Sequence, residues 1–296
     1  MRFEPTDDQR DLAGALEGLL SASDTVAVAR AWADGDTAAG LALWRRLADL
    51  GVTMLATEAS PVEVAIAFEA LGRHAVPGPW VESAAYLPIA LGHEVEGVAT
   101  LALPPLVPFA LDADVADQVY VGATPTDQVG AQHPSVDRAR RLFEVTGTAE
   151  THPEALDLAV LATSAQLLGA GERVLADSVA YVKQRKQFGR QIGSYQAIKH
   201  CLADVRIALD FARPLVVGAA LGEVPASAAK VAAADAAYLA SRTGLQVHGA
   251  IGYTAEFDLS VWITKIRALV SAWGTPAHHR ALLLGSLVDS RDGTDR

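Results

Sequence analysis

Two short stretches carry residue types suited to holding a phosphorylated ligand. The first is Arg185-Lys186-Gln187-Phe188-Gly189-Arg190-Gln191-Ile192-Gly193-Ser194-Tyr195-Gln196. The Arg185 guanidinium is a planar, permanently charged fork that suits a diphosphate. Read in isolation, the same residues also describe a solvated helix terminus with cations near its negative end. The second stretch is Gln246-Val247-His248-Gly249-Ala250-Ile251-Gly252-Tyr253. Its glycines allow close backbone approach and expose amide hydrogens to phosphate. In isolation they also read as a helix C-cap turn. No strand precedes them, so this is not a Rossmann fingerprint. His248 reads either as a ligand or as a structural histidine.

Other chemistries lack their residues. His278 and His279 are adjacent, so on a helix they diverge by about 100° and form no metal pair. No Cys/His spacing suggests zinc, and no nucleophile-elbow or triad pattern is present. Cys201 is the only cysteine, which rules out an intrachain disulfide and points to a reducing compartment, so a cytoplasmic location is expected.

Composition describes a folded globular chain of 296 residues, 51% hydrophobic and 20% charged. A net charge of -11 and the lack of any useful Lys/Arg cluster argue against a nucleic-acid partner. Met1-Arg2-Phe3-Glu4-Pro5 does not open a signal peptide. The longest apolar run, Val98 to Leu111, contains three prolines and is too short to span a bilayer. The mean hydropathy of +0.22 therefore predicts a large core or large subunit interfaces, without a membrane span.

The elements that would position the two stretches are mainly helical. Residues 1–92 read as helices: one capped by Thr6-Asp7-Asp8-Gln9 and continuing through Leu20, a stripe from Leu41 to Leu50 stopped by Gly51, and a third from Val62 to Leu71. Residues 93–150 carry β-like runs at Val98 to Leu103, Gln118 to Val121 and Leu142 to Val145. Residues 151–296 return to helix: Pro153 towards Arg185, Tyr195 to Gly222 with an interruption or kink at Pro214, Ser227 to His248, Phe257 to Val270 and Pro276 to Val288. Long antiparallel helices of this kind form a bundle. The polar tail Asp289 to Arg296 is expected to fray.

Together the two stretches resemble the flavin-contacting signatures of the acyl-CoA dehydrogenase family. Ile192, Gln196 and Leu202-Ala203-Asp204 fall in the family register. The N-terminal helical pattern from Leu43 to Ser83 is similar as well. The resemblance implies a mainly α fold with an N-terminal helical domain (1–92), a small degenerate β middle domain (93–150) and a C-terminal helical bundle (151–296). It implies FAD as cofactor, contacted by Arg185, Gln187, Phe188, Gln196, Gln246, Val247, His248, Gly249 and Ala250. Arg185 would reach across a subunit interface to the flavin diphosphate. Three departures are visible. Ala250 replaces the commoner glycine, only Thr57-Glu58-Ala59-Ser60-Pro61 remains of a Gly-rich loop, and the Thr-Glu…Gly-Ser-Asp segment that contacts the flavin ring has no match.

The family's catalytic base is a carboxylate at one of two helical positions. Here those positions correspond to Trp273, before Gly274-Thr275, and to Ala159. Neither can take a proton, so no catalytic residue is expected in this chain. Asp157 lies about 200° around the helix from Ala159 and faces elsewhere. Trp273 is expected either to plug an unused substrate cavity or to pack as ordinary core. The resemblance then implies a partner subunit of an α2β2 acyl-CoA dehydrogenase of the actinobacterial steroid type. A homologous full-length subunit would supply the base and bind most of the acyl-CoA. Two other readings stand beside it: a homomeric acyl-CoA enzyme with a non-standard base, and a scaffold that has lost flavin.

Overall fold

Capping residues set the helix starts of the N-terminal third, within a computed structural model that describes residues 4–292. Thr6 accepts the Gln9 N–H at 3.2 Å while Gln9 Oε1 accepts the Thr6 N–H at 3.0 Å. This reciprocal box starts α1 (Asp7–Ser21). Asp24 caps α2 (Thr25–Ala33), a helix not separately legible in the sequence. After α3 (Ala38–Asp49) the chain turns at Gly51, whose φ of +89° suits glycine. The short α4 (Leu55–Glu58) leads to a second capping box, Ser60 with Glu63, and to Pro61 at the first position of α5 (Pro61–Arg73). Each such cap contributes about 1 kcal/mol. A π-turn at Glu82–Tyr86 then runs into α6 (Leu87–Leu91).

Six short strands follow: β1 (Ala99–Ala102), β2 (Phe109–Leu111), β3 (Gln118–Val121), β4 (Thr124–Thr126), β5 (Val129–His133) and β6 (Leu142–Val145). They form two three-stranded sheets, β1-β3-β4 and β2-β6-β5, with β1 and β3 parallel and the remaining pairs antiparallel. The runs at Gln118 and Leu142 are strands as the sequence predicts, and β1 lies inside the run from Val98. Strands β2, β4 and β5 carry little alternation and were not predicted.

The remainder is helical. It comprises α7 (Pro153–Gln184), a two-residue-strand hairpin of β7 (Lys186–Gln187) and β8 (Arg190–Gln191), then α8 (Gln196–Ala220), α9 (Ala226–His248), α10 (Leu259–Ser271) and α11 (Pro276–Asp292). Helix α8 passes through Pro214 without a break, so the expected interruption does not occur. Packing of α8 against α9 and α7 holds it helical despite the missing donor. Of the tail expected to fray, the backbone up to Asp292 is helical and residues 293–296 lie outside the described residues.

Helix α7 is the axis of the molecule and packs against α5, α8, α9 and α10. Two glycines allow the α5–α7 crossing. A Cβ at Gly169 would sit 1.9 Å from the Glu69 carbonyl oxygen, and one at Gly72 would sit 2.1 Å from that of Gln166. The N-terminal helices, the inner face of the β layer and the C-terminal bundle share one core, from Leu16 through Phe68, Leu101, Leu168 and Val174 to Trp262, and the β layer adds a smaller one around Val119, Val121 and Phe143. Among the described residues no single helix is long and apolar enough to cross a membrane.

Candidate functional site

The last turn of α7 delivers Arg185 to the surface. Its N–H bonds the Tyr181 carbonyl at 2.9 Å, and its own carbonyl accepts the Ile192 N–H at 2.9 Å. Between them Lys186 pairs with Gln191 and Gln187 with Arg190. The two residues at the tip, Phe188 and Gly189, have φ of +52° and +81°. Two consecutive positive φ values define a I′ hairpin turn, in which phenylalanine at the first position is strained. The Phe188 ring is 92% exposed. Arg190 stacks on Tyr195 at 3.9 Å, and the Tyr195 hydroxyl donates to the Gln187 carbonyl at 3.4 Å, which braces the hairpin against α8. The side chains of Arg185, Gln187 and Gln196 are exposed and make no hydrogen bond or ion pair among the described residues.

The second stretch lies at the same end of the bundle, because Tyr181 joins it to α7. The Tyr181 ring stacks on His248 at 4.2 Å, and its hydroxyl donates to the His248 carbonyl at 3.5 Å. His248 is buried, its Nδ1–H donates to the Gly244 carbonyl at 2.7 Å, and Phe257 packs 5.2 Å away. Burial pushes its pKa down, against the opposing effects of the Gly244 carbonyl and the Asp177 charge, so the ring is neutral. The side chains of Val247 and His248 therefore face the core and offer a ligand only their backbone. Gln246 and Ala250 are exposed, and Gly249, at φ +63°, has nothing within 4 Å of where a Cβ would stand. Leu239, Arg242, Gln246, Gly249 and Tyr253 line an open groove of about 830 Å³ here.

The two positions expected to match the family's base are built in the opposite way. Ala159 is fully buried on α7, and Asp157 is exposed, as helix geometry requires. Trp273 is 1% exposed and packs 5.2 Å from the Tyr86 ring. Its φ of +55° and that of Gly274 at +99° make a left-handed turn after α10. That turn is held from below. The Lys230 Nζ donates to the carbonyls of Leu269 at 2.8 Å and Ala272 at 2.7 Å, and His279 bonds the Trp273 carbonyl at 2.9 Å and the Ser227 hydroxyl at 2.9 Å. Burial, then the Arg140 charge, bring the Lys230 pKa down to about 7, while the carbonyls at the negative end of α10 favour the proton. No group at Trp273 or Ala159 can accept a proton.

One carboxyl does stand beside Trp273. Glu82, on the π-turn, is 2% exposed. Burial raises its pKa, opposed by the charge of Arg140, its own backbone N–H, a hydrogen bond from Trp273 and the charge of Lys265. Sequence reasoning missed Glu82, Arg140 and Lys230. The signal available for Glu82 was a lone acid among Trp80, Val81, Ala84, Ala85 and Tyr86. Arg140 gave none, because tertiary folding alone brings it to α10.

A fold of helices around a small β layer, with an open cationic and glycine-lined end, defines a flavin acyl-CoA dehydrogenase type of chain. The family model for the acyl-CoA dehydrogenase C-terminal domain matches residues 151–287. The acyl-CoA dehydrogenase IpdE2 of Mycobacterium tuberculosis is 30% identical over 291 residues, covering 88% of this chain and 91% of its own length. The chain belongs to the acyl-CoA dehydrogenase family. Among solved structures, butyryl-CoA dehydrogenase of Megasphaera elsdenii superposes with a TM-score of 0.82 at 18% identity, over 97% of this chain and 100% of that one. The ChsE4-ChsE5 complex of Mycobacterium tuberculosis gives 0.79 at 21%, over 97% and 99%. At these identities the two structures establish the fold. Family members are FAD-dependent, and FAD is the cofactor that membership assigns here. The exposed Arg185, the unpartnered Gln246 and the open Gly249 fit the diphosphate end of that dinucleotide.

Proposed function

We propose that this chain is the base-less subunit of a heteromeric, FAD-dependent acyl-CoA dehydrogenase. It would pair as α2β2 with a homologous full-length subunit, which provides the carboxylate and holds most of the acyl-CoA. A steroid side-chain thioester is the substrate class we favour, in line with the Tcur3481-Tcur3483 steroid acyl-CoA dehydrogenase, a neighbour in fold, and the pairing follows the ChsE4-ChsE5 complex. The hydride acceptor for α,β-desaturation is what bound FAD supplies. This chain's own contribution is binding. Arg185 would pair with the diphosphate, Gln196 and Gln246 would donate to the dinucleotide, Gly249 and Ala250 would present backbone, and Gln187 and Phe188 would project from the hairpin across the interface, with Val247 and His248 supporting from within.

The observation that carries this reading is the contrast at Trp273. A buried indole fills the base position while polar groups at the flavin-signature end stay exposed and unpartnered. The test is co-purification with the homologous subunit. Arg185→Ala should lower flavin occupancy of the complex at least tenfold at limiting FAD, since a charge-assisted contact is lost. Unchanged occupancy in a flavin titration would refute the assignment.

Glu82 favours a second reading, a homomeric enzyme with this carboxyl as a non-standard base. Turnover by the purified chain alone, abolished in Glu82→Gln, would establish it.

A further inference from the structure

Arg30 lies 225 residues before Ala255 in the chain, yet its side chain closes on the segment that follows the second flavin-signature stretch. Its Nη2 donates to the Glu256 carbonyl at 2.7 Å and to that of Ala255 at 3.4 Å, while Nη1 pairs with the Asp258 carboxylate at 2.9 Å. Three acceptors on one planar fork fix both distance and orientation. The helix that carries Arg30 is itself anchored. Helix α2 buries Ala29 and Trp32, and the Trp32 indole donates to Asp112 at 3.1 Å.

The segment has little else to hold it on this side. Ile251, Tyr253, Thr254, Ala255, Glu256 and Asp258 are exposed. The Ala255 carbonyl also accepts the Ser260 hydroxyl at 3.1 Å, and the Glu256 carbonyl has no other donor among the described residues. Arg30 and Ala255 border a hollow of about 160 Å³ walled by Ala29, Ala33 and Val261, so packing does not close the gap beside them. On its inner side the segment carries Phe257. That ring stands 5.2 Å from His248 and 6.5 Å, edge-on, from Tyr181. His248 leads directly into Gly249 and Ala250. The position of 255–258 is thereby passed to the turn whose backbone is open to a ligand.

We infer that Arg30 is a positioning residue for the flavin-binding end: it clamps residues 255–258 so that Phe257 keeps His248, and with it the backbone of Gly249 and Ala250, in place for the dinucleotide. The inference rests on the proposed flavin contacts of that end. It adds to them a residue of the N-terminal helices that touches no cofactor. An exposed ion pair contributes little to global stability, because solvent and salt screen it. The clamp acts instead on local opening of an exposed segment, which costs far less than global unfolding.

The test uses the full chain in complex with its homologous subunit. Before FAD is added, Arg30→Ala should speed amide hydrogen exchange across 250–257 at least tenfold. The same variant should raise the dissociation constant for FAD at least fivefold, while the melting temperature of the flavin-free complex stays within about 2 °C of the parent. Arg30→Lys keeps the charge without the fork and should recover part of both losses. Asp258→Asn removes only the ion pair and should have a smaller effect than Arg30→Ala. Arg185→Ala serves as the control, weakening FAD without altering exchange across 250–257. Unchanged exchange in Arg30→Ala would overturn the inference, as would faster exchange with FAD affinity intact while Arg185→Ala weakens it. A melting temperature that falls in step with FAD affinity would make Arg30 an ordinary fold contact and also overturn it. FAD affinity unchanged in both variants would defeat the proposed function, and this inference with it.

Discussion

The two ends of the bundle treat polar groups in opposite ways. At the hairpin end Arg185, Gln187, Gln196 and Gln246 project unpartnered into solvent, and a phenylalanine is held at positive φ with its ring almost wholly exposed. At the Trp273 end the strained turn is enclosed, with Lys230, His279 and Ser227 satisfying its carbonyls and each other. Unsatisfied donors and a strained exposed residue mark a surface waiting for something outside the chain. Satisfied donors and a packed indole mark a closed core. The difference teaches that one end of the bundle leaves its polar groups open to solvent, while the other folds its own into the core.

The comparison can be broken most forcefully at Trp273. Trp273→Ala should cost about 3–5 kcal/mol of unfolding free energy through loss of burial and the cavity left behind. A denaturant midpoint shifted by under a quarter of that would mean the position is a plugged pocket that relaxes easily.

A second buried group sharpens the closed side. Asp112 is fully buried, at φ +52°, and accepts from Trp32 Nε1 at 3.1 Å and from Arg141 Nε at 3.2 Å. Burial raises its pKa to about 6, opposed first by the Arg141 charge. The folded state thus binds a proton that the unfolded chain has released between about pH 4 and pH 6. The stabilisation is complete below the lower value and lost as pH climbs through the upper one. It amounts to on the order of 3 kcal/mol, and Asp112→Asn should flatten that stretch of the stability–pH curve. A variant whose midpoints still fall from pH 4 to pH 6 as in the parent chain would show that another group controls the slope.

On the open side the effects should be smaller and opposite in sign. Phe188→Gly relieves the positive φ and should raise the stability of the chain by up to about 1 kcal/mol while weakening assembly with the partner subunit. If melting temperature and partner affinity fall together, the ring is a folding element and the contrast fails. Arg185→Ala should leave stability within about 0.5 kcal/mol, since its exposed side chain makes no hydrogen bond or ion pair among the described residues. A larger loss on chemical denaturation would place Arg185 in the core's support.

Much of this was legible in residue order. Capping at Thr6, the stop at Gly51, the strands at Gln118 and Leu142, and the five C-terminal helices follow from local propensity and hydrophobic period, which act over a few neighbouring residues. So did the separation between a cationic, glycine-bearing pair of motifs and a base position without a carboxylate. Strands β2, β4 and β5 were not legible: β2 pairs with the distant β6, β4 is a three-residue partner of β3, and none of the three shows a clean alternation of faces. Nor was the continuity of α8 through Pro214, which packing enforces against local preference. Tertiary structure alone decided that Tyr181 locks the two motifs to one end, that Val247 and His248 turn inward, and that Glu82 and Arg140 meet across a cavity although 58 positions apart in the chain. Sequence specifies what each side chain is able to do. Burial and neighbours, fixed only when distant segments pack, specify whether it is charged, satisfied or left open to a ligand.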